Sequence, residues 1–244
     1  MIRVGRVCEI VRYPVKSMAG TATESAFLGW HGLAGDRRFA FQRVGDKSGF
    51  PWLSASRLRE LILYQPVGLD DTSGEPLPTH IRTPAGSCVQ LGSAELTAEV
   101  ARRFGNEVEW MKLKHGIFDE EPVSVIALAT IAGIGREAGL DLDRRRFRAN
   151  LFVETQNLDP FLEDRWVGGM LIFGDGDSGP AVGVVMRDER CMMVNLDPDT
   201  GIQDARVQKA VVRLNDNYAG VYATVMRTGT IHIGDGVRFV TELS

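Results

Sequence analysis

The sequence predicts a mainly β protein with a few helices, an α+β chain of β-barrel character. Short apolar runs recur at close spacing, most of them bounded by Gly, Pro or Asp, as many short strands joined by tight turns require. Few segments repeat at helical period, and no internal repeat or low-complexity stretch interrupts them. At 44% hydrophobic and 25% charged, the 244 residues have an ordinary globular composition, with room for one large domain or two small ones.

Residues 2–13 set Val4, Val7, Ile10 and Val11 among polar neighbours, a β-like stretch that Tyr13-Pro14 ends. Lys16-Ser17 follows, ahead of Gly20. A Lys-Ser pair after a strand suits an anion, lacks the glycine frame of a nucleotide P-loop, and fits an exposed loop equally well. The glycines of Gly29-Trp30-His31-Gly32-Leu33-Ala34-Gly35 imply tight turns that deliver Asp36, Arg37 and Arg38 to the head of a strand at 39–44. Residues 61–65 form another short apolar run, and 79–83 with 88–91 read as a hairpin.

Residues 93–104 are the clearest helix: Ser93 is its N-cap, Leu96, Val100 and Phe104 share a face, and Gly105 stops it. Residues 107–113 alternate as a strand. The polar stretch 114–122 is read as a domain boundary, giving units 1–116 and 117–244. A buried strand is expected at 123–128, then a short helix over 130–140 that Gly133, Gly135 and Gly139 weaken. Arg144-Arg145-Arg146-Phe147-Arg148-Ala149-Asn150 runs from a basic loop into an apolar strand. Short apolar segments continue at 171–173, 181–186, 192–196, 221–226, 230–233 and 237–240. A last helix spans 203–214, with Val207, Val211 and Leu214 on one face.

Several function classes are excluded. A net charge of −4 argues against a general nucleic-acid binder. Cys8, Cys88 and Cys191 are far apart and include no Cys-x-x-Cys pair, so neither a disulfide framework nor a structural zinc site is expected. The histidines, His31, His80, His115 and His232, are equally scattered. No apolar run approaches the roughly 18 residues of a membrane helix, and the N-terminus reads as a strand rather than a signal peptide. No membrane association is expected, and the cytoplasm is the expected compartment.

What remains is a set of charged runs beside glycines: Lys16-Ser17, Asp36-Arg37-Arg38, residues 144–150, and Arg187-Asp188-Glu189-Arg190 ahead of Cys191. A thiol with cationic neighbours favours the thiolate, the form that attacks or binds soft metals. Taken alone, the Cys191 stretch also fits a strand leading into a turn, with an inert cysteine. If the fold gathers these runs, they make an anion pocket with a thiol in its wall. Arg grips phosphate bidentately and Lys acts as a point charge, so a phosphorylated cofactor that also ligates a soft atom is implied.

Six motifs in order carry a resemblance: Tyr13-Pro14-Val15-Lys16-Ser17, Gly32-Leu33-Ala34-Gly35-Asp36-Arg37-Arg38, Arg146-Phe147-Arg148-Ala149-Asn150, the stretch from Phe161 to Gly168, Arg190-Cys191 through Asp197-Pro198-Asp199-Thr200-Gly201, and Gly229-Thr230-Ile231-His232-Ile233-Gly234-Asp235. With them the chain resembles MOSC-domain proteins, named for the C-terminal domain of molybdenum-cofactor sulfurase. Within that family it is similar to the branch of the mitochondrial amidoxime-reducing component and its bacterial relatives. The resemblance implies a MOSC N-terminal β-barrel domain over 1–116 and a MOSC β-barrel over 117–244.

It further implies a molybdopterin-type molybdenum cofactor between the two units, with the metal on Cys191. Lys16, Ser17, Arg37 or Arg38, Arg148, Asn150 and Arg190 would hold the pterin side, and Asp119 would lie near the metal. Two departures stand out. Glu120-Glu121 replaces the small hydroxylic residues that the relatives carry after the aspartate, and Glu189 replaces their serine two before the cysteine. Carboxylates repel a phosphate unless a cation pairs with them. The expected activity is reduction of N-hydroxylated or N-oxide small molecules. Electrons would come from a flavoprotein or iron–sulfur partner, since the chain has too few cysteines for a cluster and no ferredoxin-like domain is expected after Ser244. The alternative is a sulfur (persulfide) or cofactor carrier using Cys191 without turnover; a third reading is a pocket for another phosphorylated molecule. Pyridoxal phosphate, which belongs to the sulfurase's other domain, is not expected.

Overall fold

A computed structural model describes residues 1–70, 74–114 and 120–241. In chain order the strands are β1 (Ile2–Arg12), β2 (Thr21–Thr23), β3 (Ser25–Gly29), β4 (Gly32–Leu33), β5 (Phe39–Arg43), β6 (Gln65–Val67), β7 (His80–Arg82), β8 (Cys88–Gln90), β9 (Val108–Lys112), β10 (Val123–Ala127), β11 (Leu151–Thr155), β12 (Met170–Phe173), β13 (Ala181–Glu189), β14 (Tyr218–Arg227), β15 (Gly229–His232) and β16 (Gly236–Val240). The helices are α1 (Ala94–Phe104), α2 (Leu128–Ala138) and α3 (Arg206–Asn215). The expected mainly β, α+β fold is present.

Strands β11, β10, β14, β13, β12, β16 and β1 follow one another around a ring that the β1–β11 pairing closes. All neighbours run antiparallel except β10 and β11, whose parallel pairing requires the crossover that α2 supplies. Alternation along the staves sorts side chains between two layers of the barrel's core, its interior and the side covered by α2 and α3. Val123, Val125, Leu151 and Val153 point into the barrel, while Ile126 and Phe152 face α2 and α3. In β1 both Val7 and Ile10 lie inside, an odd spacing that a regular strand forbids. A bulge between Val7 and Glu9 against β11 flips the face.

A second core gathers Val15, Met18, Phe39, Phe41, Tyr64, Ile81, Leu96 and Val100 beneath the β5–β9 pair, the β6–β7–β8 sheet and α1. Ser93 caps α1 through its hydroxyl, which accepts from the Leu96 amide at 3.2 Å, and Gly105 ends it in the left-handed region, as the sequence predicts. The boundary expected between 116 and 117 lies outside the described residues. β1, from the N-terminal side of that boundary, is a stave of the barrel built by later strands.

Three local expectations are corrected. The run at 61–65 is a 3₁₀ turn, Arg59–Leu63, followed by β6, because consecutive Leu61 and Ile62 both bury, which one strand face cannot do. The run at 192–196 is a second 3₁₀ turn, Met192–Asn195, for a similar reason: Val194 enters the helix-covered core and Leu196 the second core. The last helix starts at Arg206 rather than 203, since Gln203 bridges to Leu196, and Leu214 at its end is exposed. Gly133 does not merely weaken α2. A Cβ there would stand 2.7 Å from Pro160, so the glycine lets the loop after β11 close on the helix.

Candidate functional site

Where β1 ends, residues 13–17 turn away from the barrel toward the second core. Asp36 holds this turn. One carboxylate oxygen accepts from the Tyr13 amide, and the other pairs with Arg37. The Arg37 guanidinium also donates to Asn150 Oδ1 at 2.9 Å and lies 5.7 Å from the Tyr13 ring. Arg148, just past the 3₁₀ turn Arg144–Phe147, donates to the Met18 carbonyl at 2.7 Å and stacks 4.3 Å from the same ring. Tyr13 thus has arginines from two distant segments on its π system.

Three of these residues have left-handed backbone: Ser17 (φ 65°), Arg37 (φ 46°) and Arg148 (φ 53°). Non-glycine residues reach that region rarely and at a cost, and such outliers concentrate at binding sites. Only six described non-glycine residues have positive φ, so three around one cavity is a concentration that points to ligand binding.

The cavity itself is narrow, about 100 Å³, and is walled by Tyr13, Lys16, Ser17, Arg37, Arg148 and Cys191, with Ser124, Glu189 and Tyr222. It opens on one side into a wider cleft of about 800 Å³ where Lys16, Glu189 and Cys191 meet Phe50, Trp52 and Glu120. On another side Tyr13, Arg146, Arg148 and Met193 also line a cavity of about 370 Å³ floored by Ile62, Pro66 and Val67. Cys191 is exposed, at the start of the 3₁₀ turn that follows β13, and so is not the buried inert thiol its stretch alone allowed.

The sequence-predicted residues divide. Lys16, Ser17, Arg37, Arg148 and Cys191 converge on the narrow cavity. Arg190 lines it too, but its guanidinium works inward: Nε donates to the Ala219 carbonyl and Nη1 to the Phe147 carbonyl, each at 2.7 Å, and Nη2 pairs with Asp188 at 2.8 Å. Gly220 leaves it room, since a Cβ there would stand 3.0 Å from Nη2. Arg190 therefore fastens the cysteine-bearing end of β13 to the barrel. Asn150 is fully buried; its Oδ1 accepts from Arg37 and the Ser124 amide, and its Nδ2 donates to the Val11 carbonyl. It positions Arg37 rather than reaching the cavity. Arg38 turns away, to the Leu113 carbonyl and Glu75. Asp119 lies outside the described residues. Of the unexpected carboxylates, Glu189 lines the narrow cavity and the cleft, Glu120 the cleft only, and Glu121 neither.

Sequence reasoning missed Tyr13 and Arg146. Both sit inside motifs that were singled out, yet nothing in one dimension shows that they share a wall. Each carries a buried polar atom without a hydrogen-bond partner, the Tyr13 hydroxyl and Arg146 Nε. Burial pushes the Tyr13 phenol up to about 12, opposed by Arg148 and Arg37, so it stays a neutral donor at physiological pH. Arg146 otherwise donates to the Asn195 carbonyl and to Asp197, both at 2.9 Å, which ties the basic run to the loop after Cys191.

Lys16, Arg37, Arg148 and one thiol are a donor set that fits a phosphorylated organic group carrying a thiolate-binding metal, and Glu189 in the same wall opposes the phosphate end. Among the described residues, no cluster of three or more His, Cys, Asp or Glu side chains offers a metal site made by protein alone. No helix of the described residues is long and apolar enough to cross a membrane.

Comparison with known proteins agrees with this architecture. The YuaD protein from Bacillus subtilis has a crystal structure that aligns over 97% of this chain and 95% of its own, with a TM-score of 0.53 at 16% identity, a likeness of fold alone. YiiM from Geobacillus stearothermophilus aligns over 49% of this chain and 54% of its own, with a TM-score of 0.36 at 17% identity. No match was found among curated proteins. The family model for the MOSC domain matches residues 112–238, more than half of the chain, and the chain belongs to the MOSC domain family.

Proposed function

We propose that the protein binds a molybdenum cofactor in the groove between its two cores and reduces N-hydroxylated or N-oxide small molecules. The observation that carries this reading is the convergence of Lys16, Ser17, Arg37 and Arg148 with Cys191 on one cavity, three of them in left-handed backbone. Cys191 would hold the metal through its thiolate, and the cationic residues would hold the phosphate side of the pterin. Bound there, the group would supply two-electron redox chemistry at an open metal position. The chain's own residues do the rest. Arg190 and Asp188 fix the strand end that presents the thiol, Asn150 and Asp36 orient Arg37, and the cleft beyond Cys191 admits a small molecule beside Phe50 and Trp52. The balanced change is N–O cleavage: R–NHOH takes up two electrons and two protons and leaves as R–NH₂ and water. The electrons would come from a separate flavoprotein or iron–sulfur protein.

The exposure of Cys191 favours one second reading, a carrier that holds sulfur as a persulfide or passes the cofactor on without turnover. Both readings meet in one experiment. Protein from cells that make the cofactor is assayed for molybdenum, pterin and reduction of N-hydroxylated compounds by a reduced artificial donor. Metal and pterin near one per chain, with turnover lost in Cys191→Ala, are expected. A persulfide without turnover would support the carrier, and absence of both metal and pterin from folded, reduced protein would refute the cofactor reading.

A further inference from the structure

Of the buried polar atoms around the groove without a hydrogen bond, Arg190 Nη2 and Glu9 Oε2 have an ion-pair partner, and the Tyr13 hydroxyl and Arg146 Nε have neither. The Tyr13 hydroxyl and Arg146 Nε belong to residues that line both the narrow cavity beside Cys191 and the larger cavity over Ile62, Pro66 and Val67. Tyr13 is 2% exposed and the Arg146 side chain 9%. A buried polar atom without a bond costs stability, and such atoms are rare in native interiors unless something else supplies the partner. Arg146 Nε can only donate and the Tyr13 hydroxyl can donate, so an acceptor would satisfy both. Arg148 is stacked on the Tyr13 ring and also lines both cavities. A phenol and two guanidinium groups lining the same two cavities suit an anionic oxygen.

We propose that Tyr13 and Arg146 are ligand-binding residues that seat an anionic phosphate-type oxygen at this junction, so that the bound molecule continues into both cavities. This rests on the reading of the groove as the place of a phosphorylated ligand, but not on the ligand being a molybdopterin. The Tyr13 ring is already held by Arg37 and Arg148, so the hydroxyl is fixed before any ligand arrives. Its affinity is obtained at the expense of stability in the empty protein, as is common where a site is built ahead of its ligand.

Tyr13→Phe separates the two contributions, because it keeps the ring and both arginine contacts and deletes only the hydroxyl. Inorganic phosphate is titrated calorimetrically into the ligand-free full chain and the variant, with thermal melts of both. The expected result is phosphate affinity lowered about ten-fold, a usual loss for a hydrogen bond to a charged group, with a melting temperature equal to or above wild type. Affinity within two-fold of wild type, no phosphate binding by wild type, or a lowered melting temperature accompanying the loss would each overturn the proposal. Arg146→Lys, which keeps the charge and loses Nε, is expected to weaken phosphate as well. Molybdenum and pterin assays on the as-purified proteins separate the two readings. Tyr13-dependent phosphate binding without pterin would sustain this inference and sink the cofactor reading. Full pterin content, unaltered in Tyr13→Phe along with unaltered phosphate affinity, would do the reverse.

Discussion

Arg37 and Arg38 are adjacent and chemically identical, yet the fold gives them opposite situations. Arg37 is buried with Asp36, Asn150 and the Tyr13 ring, while the Arg38 side chain, 11% exposed, pairs with Glu75, which is 43% exposed. Removing one member of a buried pair strands the other charge and typically costs about 3–5 kcal/mol, whereas an exposed pair contributes about 0–1 kcal/mol. Arg37→Met is therefore expected to lower unfolding stability by about 3–5 kcal/mol and Arg38→Met, which gives up a half-exposed pair and one bond to the Leu113 carbonyl, by about 1–2 kcal/mol in urea denaturation. Equal losses would show that Asp36 finds other partners. The doublet was legible as a cationic motif, but which of its members faces the cavity was not. A backbone turn into the left-handed region at Arg37 decides that, and its compensation comes from Asn150, far along the chain.

Helix α2 takes its N-terminal cap from another segment. Its N-terminus has no side-chain cap of its own; Glu163, from the 3₁₀ turn Leu162–Trp166, takes that place. It accepts from the Ala127 amide at 3.3 Å and from the Thr130 hydroxyl at 2.8 Å. Burial pushes this carboxyl up to about 7, although the hydrogen bonds it accepts pull the other way. With the folded value above the unfolded one, the folded chain holds the proton more tightly between pH 4.5 and about 7. The stabilisation is full below that window and is lost as pH rises through it, with no further change above. Glu163→Gln should flatten this slope, so the wild type loses more stability between pH 5 and pH 7.5 than the variant, by on the order of 3 kcal/mol. Parallel pH profiles would show that another group sets the slope. The missing cap could not be read from the sequence, because a helix end satisfied from outside leaves no mark at its own N-terminus. The self-capped α1 was legible for the opposite reason: Ser93, its apolar stripe and Gly105 are all local.

At the scale of the whole molecule, the two cores are interlocked. β1 is a stave of the barrel, and its continuation buries Val15 and Met18 in the second core. Leu196, from the loop after Cys191, also enters that core, while Val194 beside it enters the helix-covered one. Neither core can lose its packing without pulling on the other, so one cooperative unfolding transition is expected. Trp110 stacks on Phe39 of the second core and Trp166 is buried in the barrel, so each reports on one unit. In variants retaining only one or the other tryptophan, the fluorescence midpoint should coincide with that variant's far-ultraviolet dichroism midpoint. Separate midpoints would mean that the units unfold independently. The same interlocking places Cys191 at the groove, since the 3₁₀ turn it starts is held by both cores.

The sequence by itself determined the fold class, most of the strands, helix α1 and the four runs from which the site is drawn, because each of those rests on local period, caps or composition. It also carried the family, through motifs in order. Only the tertiary structure decided which cations meet: Arg37 and Arg148 at the cavity, Arg38 outside it, and Arg190 and Asn150 spent on internal bonds. It alone showed the Tyr13 hydroxyl and Arg146 Nε to be buried without a hydrogen-bond partner. The physical reason is that a side chain's role follows from what surrounds it. Around this groove the surroundings come from β1, the loop before β5, the turn before β11 and the end of β13, segments that meet only when the barrel closes and the two cores lock together.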